Sequence, residues 1–244
     1  MANYLIISAS SDIGFETASI LVQKGHKIFI TARKEAQLET LKNQFLCSGQ
    51  ILEATNFVDV ENAFSKAIEN LGSLDGVVSF AGSVILKPAH LTSEAEFFST
   101  INSSLTTSFA VVRAAGKFMK NGGSVVLISS AAAMQGVANH EAIAAAKGGI
   151  ISLAKSAAAT YAAQNLRFNV VAPGLTKTKL TQKITGNEAS LKFSQNMHAL
   201  GRIGEAGDVA RSVEFFLDEK SNWITAQILG VDGGLSNVQP KIKI

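Results

Sequence analysis

YLIISASSDIGFETA, residues 4–18, decides the fold. Its first part, YLIISA at 4–9, is an apolar run of the length of a buried strand and far too short to cross a membrane. SASSDIGFETA at 8–18 follows without a spacer, a tight turn of small residues that opens a helix. Backbone N–H groups exposed at such a helix start form a cradle for phosphate, and glycine there lets a ligand come close. The cradle residues are Ser8, Ser10, Ser11, Asp12, Ile13 and Gly14. Asp12 has two readings. It is a helix cap whose carboxylate takes the first free N–H groups, or it places a negative charge beside a bound phosphate and weakens that site.

Outward from this unit the same alternation repeats. Strands are expected at 4–9, 27–31, 51–57, 74–80, 123–129, 167–172 and 226–232, with helices near 14–24, 34–47, 61–71, 94–119, 140–163 and 208–218. Apolar strands that alternate with helices imply an α/β fold, a doubly wound parallel sheet of about seven strands covered on both faces. Ligands of such sheets lie beyond the carboxyl ends of the strands, so the residues just after each strand carry the function. No internal repeat or low-complexity segment interrupts the pattern, and 244 residues with 47% apolar composition suit one domain over 1–244.

Composition also narrows the partners. The formal charge of +3 comes from scattered lysines and arginines without a like-charge run, so neither nucleic acid nor a membrane surface is expected as partner. The opening MANYLIISAS lacks the pattern of a secretion signal, which implies a cytoplasmic protein. The small-residue stretch 142–163 carries Lys147 and Lys155 and reads as close helix packing rather than a lipid span. Cys47 reads as a packed thiol, and the four histidines are isolated, so no metal site is expected.

Several stretches then point one way. These are the turn at 8–18, Asp59 in FVDV, SFAG at 79–82 with Ala81 and Gly82, Asn102 in INSSL, Ser130 after VVLIS, and HEAIAAAKGG at 140–149 with Lys147. PGLTKT at 173–178 supplies Pro173, Gly174, Thr176 and Thr178, and GRIGEAGDVA and ITAQILGVDGG follow. In this order and over nearly the whole chain, the sequence resembles the short-chain dehydrogenase/reductases. Their turn reads TGxxxGxG, so Ser8 and Asp12 replace two of its glycines. The resemblance implies a Rossmann-type fold and hydride transfer between NAD(P) and a carbonyl or hydroxyl substrate. It assigns Ser130 to the substrate carbonyl, Lys147 and Asn102 to the catalytic set, Asp59 to the adenine region, and the glycine and PGLTKT residues to the cofactor. It also implies a homotetramer or homodimer built through the long fourth and fifth helices.

One position breaks the resemblance. The family's tyrosine stands four residues before the lysine, on the same helix face, and Ile143 occupies it here. Tyr4 lies at the wrong end of its strand, and Tyr161 lies about 21 Å beyond Lys147 along the helix. His140, seven residues before Lys147, is the nearest other proton donor, and it also reads as a plain polar residue in the first turn of a helix capped by Asn139. Two functions stay open: an oxidoreductase with an altered proton donor, and a non-catalytic dinucleotide-binding subunit or sensor. Arg33 and Lys34 at the end of the second strand favour NADP, with NAD as the alternative, because an acidic residue there would bond a ribose hydroxyl. The segment 175–200 is expected to form a lid over a small-molecule substrate. Its lysines, Lys177, Lys179, Lys183 and Lys192, either attract an anionic substrate or form a solvated face.

Overall fold

A computed structural model describes residues 1–239. Seven strands form one sheet in the order β3-β2-β1-β4-β5-β6-β9, every pair parallel. They are β1 (Asn3–Ile7), β2 (Lys27–Ala32), β3 (Ser48–Ile51), β4 (Gly76–Ser79), β5 (Gly123–Ile128), β6 (Leu166–Pro173) and β9 (Ile228–Val231). A short pair, β7 (Thr176–Lys177) with β8 (Gly204–Glu205), lies outside it. From β1 the chain winds outward one way to β3, returns to β4, and winds the other way. The crevice for a ligand therefore opens beyond the ends of β1 and β4.

The helices are α1 (Asp12–Gln23), α2 (Glu35–Phe45), α3 (Phe57–Leu71), α4 (Glu94–Ile101), α5 (Thr107–Phe118), α6 (Glu141–Thr160), α7 (Gln182–Thr185), α8 (Glu188–Met197) and α9 (Ala206–Leu217). Strand residues alternate between two cores with the period of two that a pleat requires. Leu5, Ile7, Phe29, Val77, Val125, Leu127, Phe168 and Val170 pack with α3, α5 and α6, whereas Tyr4, Ile6, Ile28, Ile30, Val78, Val126 and Val171 pack with α1, α2 and α9. Cys47 sits half-buried against the second core, and burial pushes its thiol up to about 11. No helix among the described residues is long and apolar enough to cross a membrane.

The structure corrects the sequence reading at four places. The third strand is Ser48–Ile51 rather than 51–57, because Asn56 Oδ1 accepts the Val58 and Asp59 N–H groups and starts α3 there. Leu52 and Ala54, read as strand, are buried in the connection. The helix expected over 94–119 is interrupted by a π-helical turn, Asn102–Thr106. Its cause lies in the NSSLT sequence and its flanks. Ser103 Oγ donates to the Thr100 carbonyl, and Thr107 Oγ1 and Ser108 Oγ donate to that of Ser104, so side chains compete with the helical ladder. The cap of α1 is Ser11, whose Oγ accepts the Gly14 N–H, and not Asp12. At α6 the cap position belongs to His140, without a side-chain bond to the helix, while Asn139 takes a left-handed φ of 64°.

α5 packs through a missing side chain against Tyr161, the residue that follows α6. A Cβ on Gly116 would lie 2.4 Å from the Tyr161 ring, whereas one on Gly148 would meet nothing within 4 Å. Gly116→Ala should therefore destabilise the protein by about 1–3 kcal/mol through overpacking. Gly148→Ala should stabilise it by about 0.4–1 kcal/mol by restricting the unfolded chain. Urea unfolding of the two variants checks the opposite signs.

Candidate active site

The turn after β1 is held open by its own backbone. Ser8 adopts a left-handed φ of 60°, a conformation that costs a non-glycine residue about 1–2 kcal/mol. Its N–H donates to Thr31 Oγ1 on β2 and its carbonyl accepts the Ser11 N–H. Gly14 is required for packing, since a Cβ there would lie 2.8 Å from both Ser11 Oγ and the Ser8 carbonyl oxygen. Ser8 and Gly14 thus shape the turn from behind, while Ser10, Ser11, Asp12 and Ile13 line a narrow groove of about 220 Å³. Asp12 does not cap α1. Its Oδ2 accepts the Lys179 N–H at 2.6 Å and its Oδ1 lies 3.7 Å from Lys179 Nζ, which ties the 175–200 segment to the start of α1.

The opposite wall of the groove comes from Phe80–Val84, Ile128–Ser130, Ile143, Lys147, Pro173, Gly174, Thr176 and Thr178. Lys147 is its buried cation, 8% exposed, and its Nζ donates to the Ile128 carbonyl at the end of β5 at 2.9 Å. Burial alone pulls its ammonium down from 10.5 to about 8. Ser129 Oγ donates to the Lys147 carbonyl, so the strand end grips both ends of this residue. A Cβ on Gly82 would lie 3.3 Å from Nζ, so glycine leaves the ammonium uncovered.

A second cavity of about 830 Å³ adjoins the groove and shares Ser130, Ile143, Pro173 and Gly174 with it. Leu86, Val137, Ile184, Phe193 and Met197 make it mostly apolar, and no Lys, Arg, Asp or Glu is in its lining among the described residues. His140 is on its wall and not in the groove, so Lys147 and His140 lie on different sides of the Ile143 position. His140 Nδ1 is 2.7 Å from the Ala138 carbonyl, which can only accept; the ring N–H is therefore there and Nε2 is left for the cavity. Ser130 Oγ accepts the Ala132 N–H, which leaves its own O–H to donate.

A family model described as enoyl-(acyl carrier protein) reductase matches residues 7–236. The chain belongs to the short-chain dehydrogenase/reductase family. It is 34% identical to carbonyl reductase family member 4 of Xenopus laevis, over 94% of this chain and 96% of that one. Identity to the 3-oxoacyl-[acyl-carrier-protein] reductase FabG of Thermotoga maritima is 29%, covering 95% and 96%. A short-chain type dehydrogenase/reductase from Mycobacterium ulcerans superposes with a TM-score of 0.91 at 27% identity, covering 98% of this chain and 91% of that one. As a short-chain dehydrogenase/reductase the chain belongs among hydride-transferring oxidoreductases.

Within that family frame the structure brings together Ser130, Lys147, Ala81, Gly82, Pro173, Gly174, Thr176 and Thr178, but not every expected residue. Asn102 is exposed, outside both cavity walls, and its Oδ1 accepts from Thr106 Oγ1, because the π turn rotates it outward. Asp59 stands in the first turn of α3 rather than at the end of β3, where Leu52–Thr55 lie instead. Arg33 is exposed just past β2, beyond both walls. Sequence reasoning missed His198, which is buried, donates from Nδ1 to the Ser194 carbonyl and accepts the Leu175 N–H on Nε2. It fixes α8 to the start of the 175–200 segment, and MHAL carries no local signal for that.

Because the folded state holds Lys147 near 8 and an unfolded lysine titrates near 10.4, the unfolded chain binds more protons between those values. Stability therefore rises with pH across that window. Urea unfolding at pH 7.5 and 9.5 should show native protein gaining stability relative to Lys147→Met. A difference that does not change with pH would exclude a buried, destabilised ammonium.

Proposed function

We propose that the protein is an NADP-dependent reductase of an uncharged carbonyl compound, with His140 as the proton donor. One observation carries this reading: Ser130 and Ile143 form the common wall between a groove holding the Lys147 ammonium and an apolar cavity holding His140. The groove suits a dinucleotide in its donors. The first-turn N–H groups of Asp12 and Ile13 have no acceptor within the helix, and Gly82 leaves Lys147 Nζ approachable. NADPH, when bound, supplies the hydride. Lys147 would hold its ribose hydroxyls, Arg33 would meet its 2′-phosphate, and Thr176 and Thr178 would border the nicotinamide end. The Ser130 O–H would orient the substrate carbonyl, and His140, with its Nδ1–H kept on the Ala138 carbonyl, would give the oxygen a proton from Nε2 in its imidazolium form and be left as the neutral ring.

The lining also bears on the substrate. None of Lys177, Lys179, Lys183 and Lys192 borders the larger cavity, which supports the solvated-face reading of these lysines and an uncharged substrate. Self-association as a homotetramer or homodimer is supported by the exposed rings of Phe97, Phe98 and Phe109 on α4 and α5. The alanines of α6 support it less, since Ala142, Ala146, Ala154, Ala157 and Ala158 are buried within one chain. A second reading, a non-catalytic dinucleotide sensor, draws on Ile143 and on the Asp12 carboxylate at the groove.

NADPH should bind more tightly than NADH in a fluorescence titration, and Arg33→Ala should remove most of the difference. Equal affinities would end the NADP assignment, and binding of neither would end the cofactor reading. For an activated diketone, His140→Ala should lower turnover by about 10² or more with cofactor binding intact. Ile143→Tyr should raise turnover, because a phenol one turn before the Lys147 ammonium is stabilised as phenolate. An Ile143→Tyr protein that binds NADPH yet stays inert would favour the sensor.

A further inference from the structure

The 175–200 segment is held over the groove by very little. No residue from Lys177 to Met197 is buried, and Leu180 and Phe193 are 57% and 66% exposed. Among the described residues, one hydrogen bond alone runs from 179–197 to a group outside the segment, that of the Lys179 N–H to Asp12 Oδ2 at 2.6 Å. A region with few buried apolar contacts opens at a small cost in free energy, so a single bond of this kind sets how often it is closed.

Local chemistry makes that donor available. Thr178 Oγ1 accepts the Thr181 N–H and Thr181 Oγ1 accepts that of Thr178, which closes a tight turn over Lys179–Thr181. The Lys179 N–H opens this turn and has no acceptor inside it. Asp12 reaches it across the groove from the first turn of α1, where the Asp12 and Ile13 N–H groups also lack acceptors within the helix. A carboxylate that accepts an N–H makes a charge-assisted bond, whereas the Lys179 ammonium, 86% exposed and 3.7 Å away, adds little. The backbone bond therefore carries the contact, and the ammonium is left for another anion.

We propose that Asp12 is an autoinhibitory latch: its carboxylate keeps the 175–200 segment shut over the start of α1, and a diphosphate enters the groove only when the bond to the Lys179 N–H is given up. An anion on the first-turn N–H groups stands beside the carboxylate, and like charges side by side repel. Lys179 resolves the competition, because its ammonium passes from the carboxylate to the phosphate as the segment is released. This inference rests on the reading of the groove as a dinucleotide site. It goes beyond simple repulsion, since the closed segment itself subtracts from the molecules able to bind.

The test compares native protein, Asp12→Gly and Asp12→Asn, all full length, by hydrogen–deuterium exchange over 178–197 and by titration with inorganic pyrophosphate and with NADPH. Without ligand, Asp12→Gly should speed exchange in that segment about tenfold, the size expected for losing a bond to a charged group. Asp12→Asn keeps an acceptor of the same shape without the charge. It should speed exchange by less, and it serves if the glycine variant does not fold. Both ligands should bind Asp12→Gly about tenfold more tightly than native protein, because closed molecules no longer reduce the competent fraction. The gain in Asp12→Asn should be smaller, in step with its exchange. Unchanged exchange in Asp12→Gly would overturn the latch. An equal gain in affinity in both variants, with exchange in Asp12→Asn at the native rate, would reduce the effect to charge repulsion and also overturn it. One NADPH affinity in all three proteins defeats the latch and leaves the cofactor reading standing. Binding of NADPH to none of them defeats the cofactor reading, while exchange still decides whether Asp12 holds the segment.

Discussion

The hydrogen bond from Lys147 Nζ to the Ile128 carbonyl is the constraint on which the site depends. It joins the middle of α6 to the end of β5 and keeps a cation in a place that water barely reaches. A charge buried at that depth is costly unless its protons are used, and truncating such a partner leaves an uncompensated group. The chain answers with Ser129, which bonds the Lys147 backbone, and with glycines at 82 and 149 that let neighbouring segments close in. Position and chemistry are thus set by one contact. The same burial that fixes the ammonium lowers its proton affinity into the range where a ligand can change it.

Much of this was legible in the sequence, and the failures have physical reasons. The central strands announced themselves because a doubly covered parallel sheet needs unbroken apolar runs. β3 did not: it is an edge strand of Ser48, Gly49, Gln50 and Ile51, polar and partly exposed, while the more apolar 51–57 run spans a connection that buries only Leu52 and Ala54, and the start of α3. Spacing led to Lys147 and Ser130, which both line the groove, because one lies within a regular helix and the other just past a regular strand. It gave no sign that Asn102 would face outward, because a π turn changes which residue faces inward, and hydroxyls that bond back to the helix carbonyls leave no mark in hydrophobic period. His198 was invisible for a different reason. Its partners, Ser194 and Leu175, are brought to it by tertiary structure from both sides.

Charge at the groove follows from the same logic. A carboxylate at the start of α1 is favoured by the helix dipole and opposed by any anionic ligand nearby. Asp12 resolves part of that conflict within the chain by accepting the Lys179 N–H, and the bond closes the groove between α1 and the 175–200 segment. That segment is held again at its start by His198, which accepts the Leu175 N–H and packs where Gly174 and Gly233 have no side chains. The 175–200 segment is therefore anchored at both Leu175 and Lys179, close to where it leaves β6, while α8 lines the apolar cavity. A ligand entering the groove has to contend with these two anchors rather than with an open loop.

Ile143 is where these arguments meet. It is 3% exposed and borders both the groove and the cavity, so its apolar side chain stands between the ammonium and His140. A phenol there would share the proton equilibrium of Lys147, since an adjacent cation favours phenolate. With isoleucine that coupling is absent, and the Lys147 ammonium has only the Ile128 carbonyl as acceptor among the described residues. The work divides accordingly. Lys147 is suited to holding hydroxyl or anionic groups in the groove, because any acceptor offered to Nζ restores the charged form that burial disfavours. On the cavity side His140 leaves Nε2 unengaged and Ser130 keeps a free O–H. In the proposed reading these groups, with His140 as imidazolium, take the proton-transfer role. Binding and proton transfer would then lie on opposite sides of one apolar side chain.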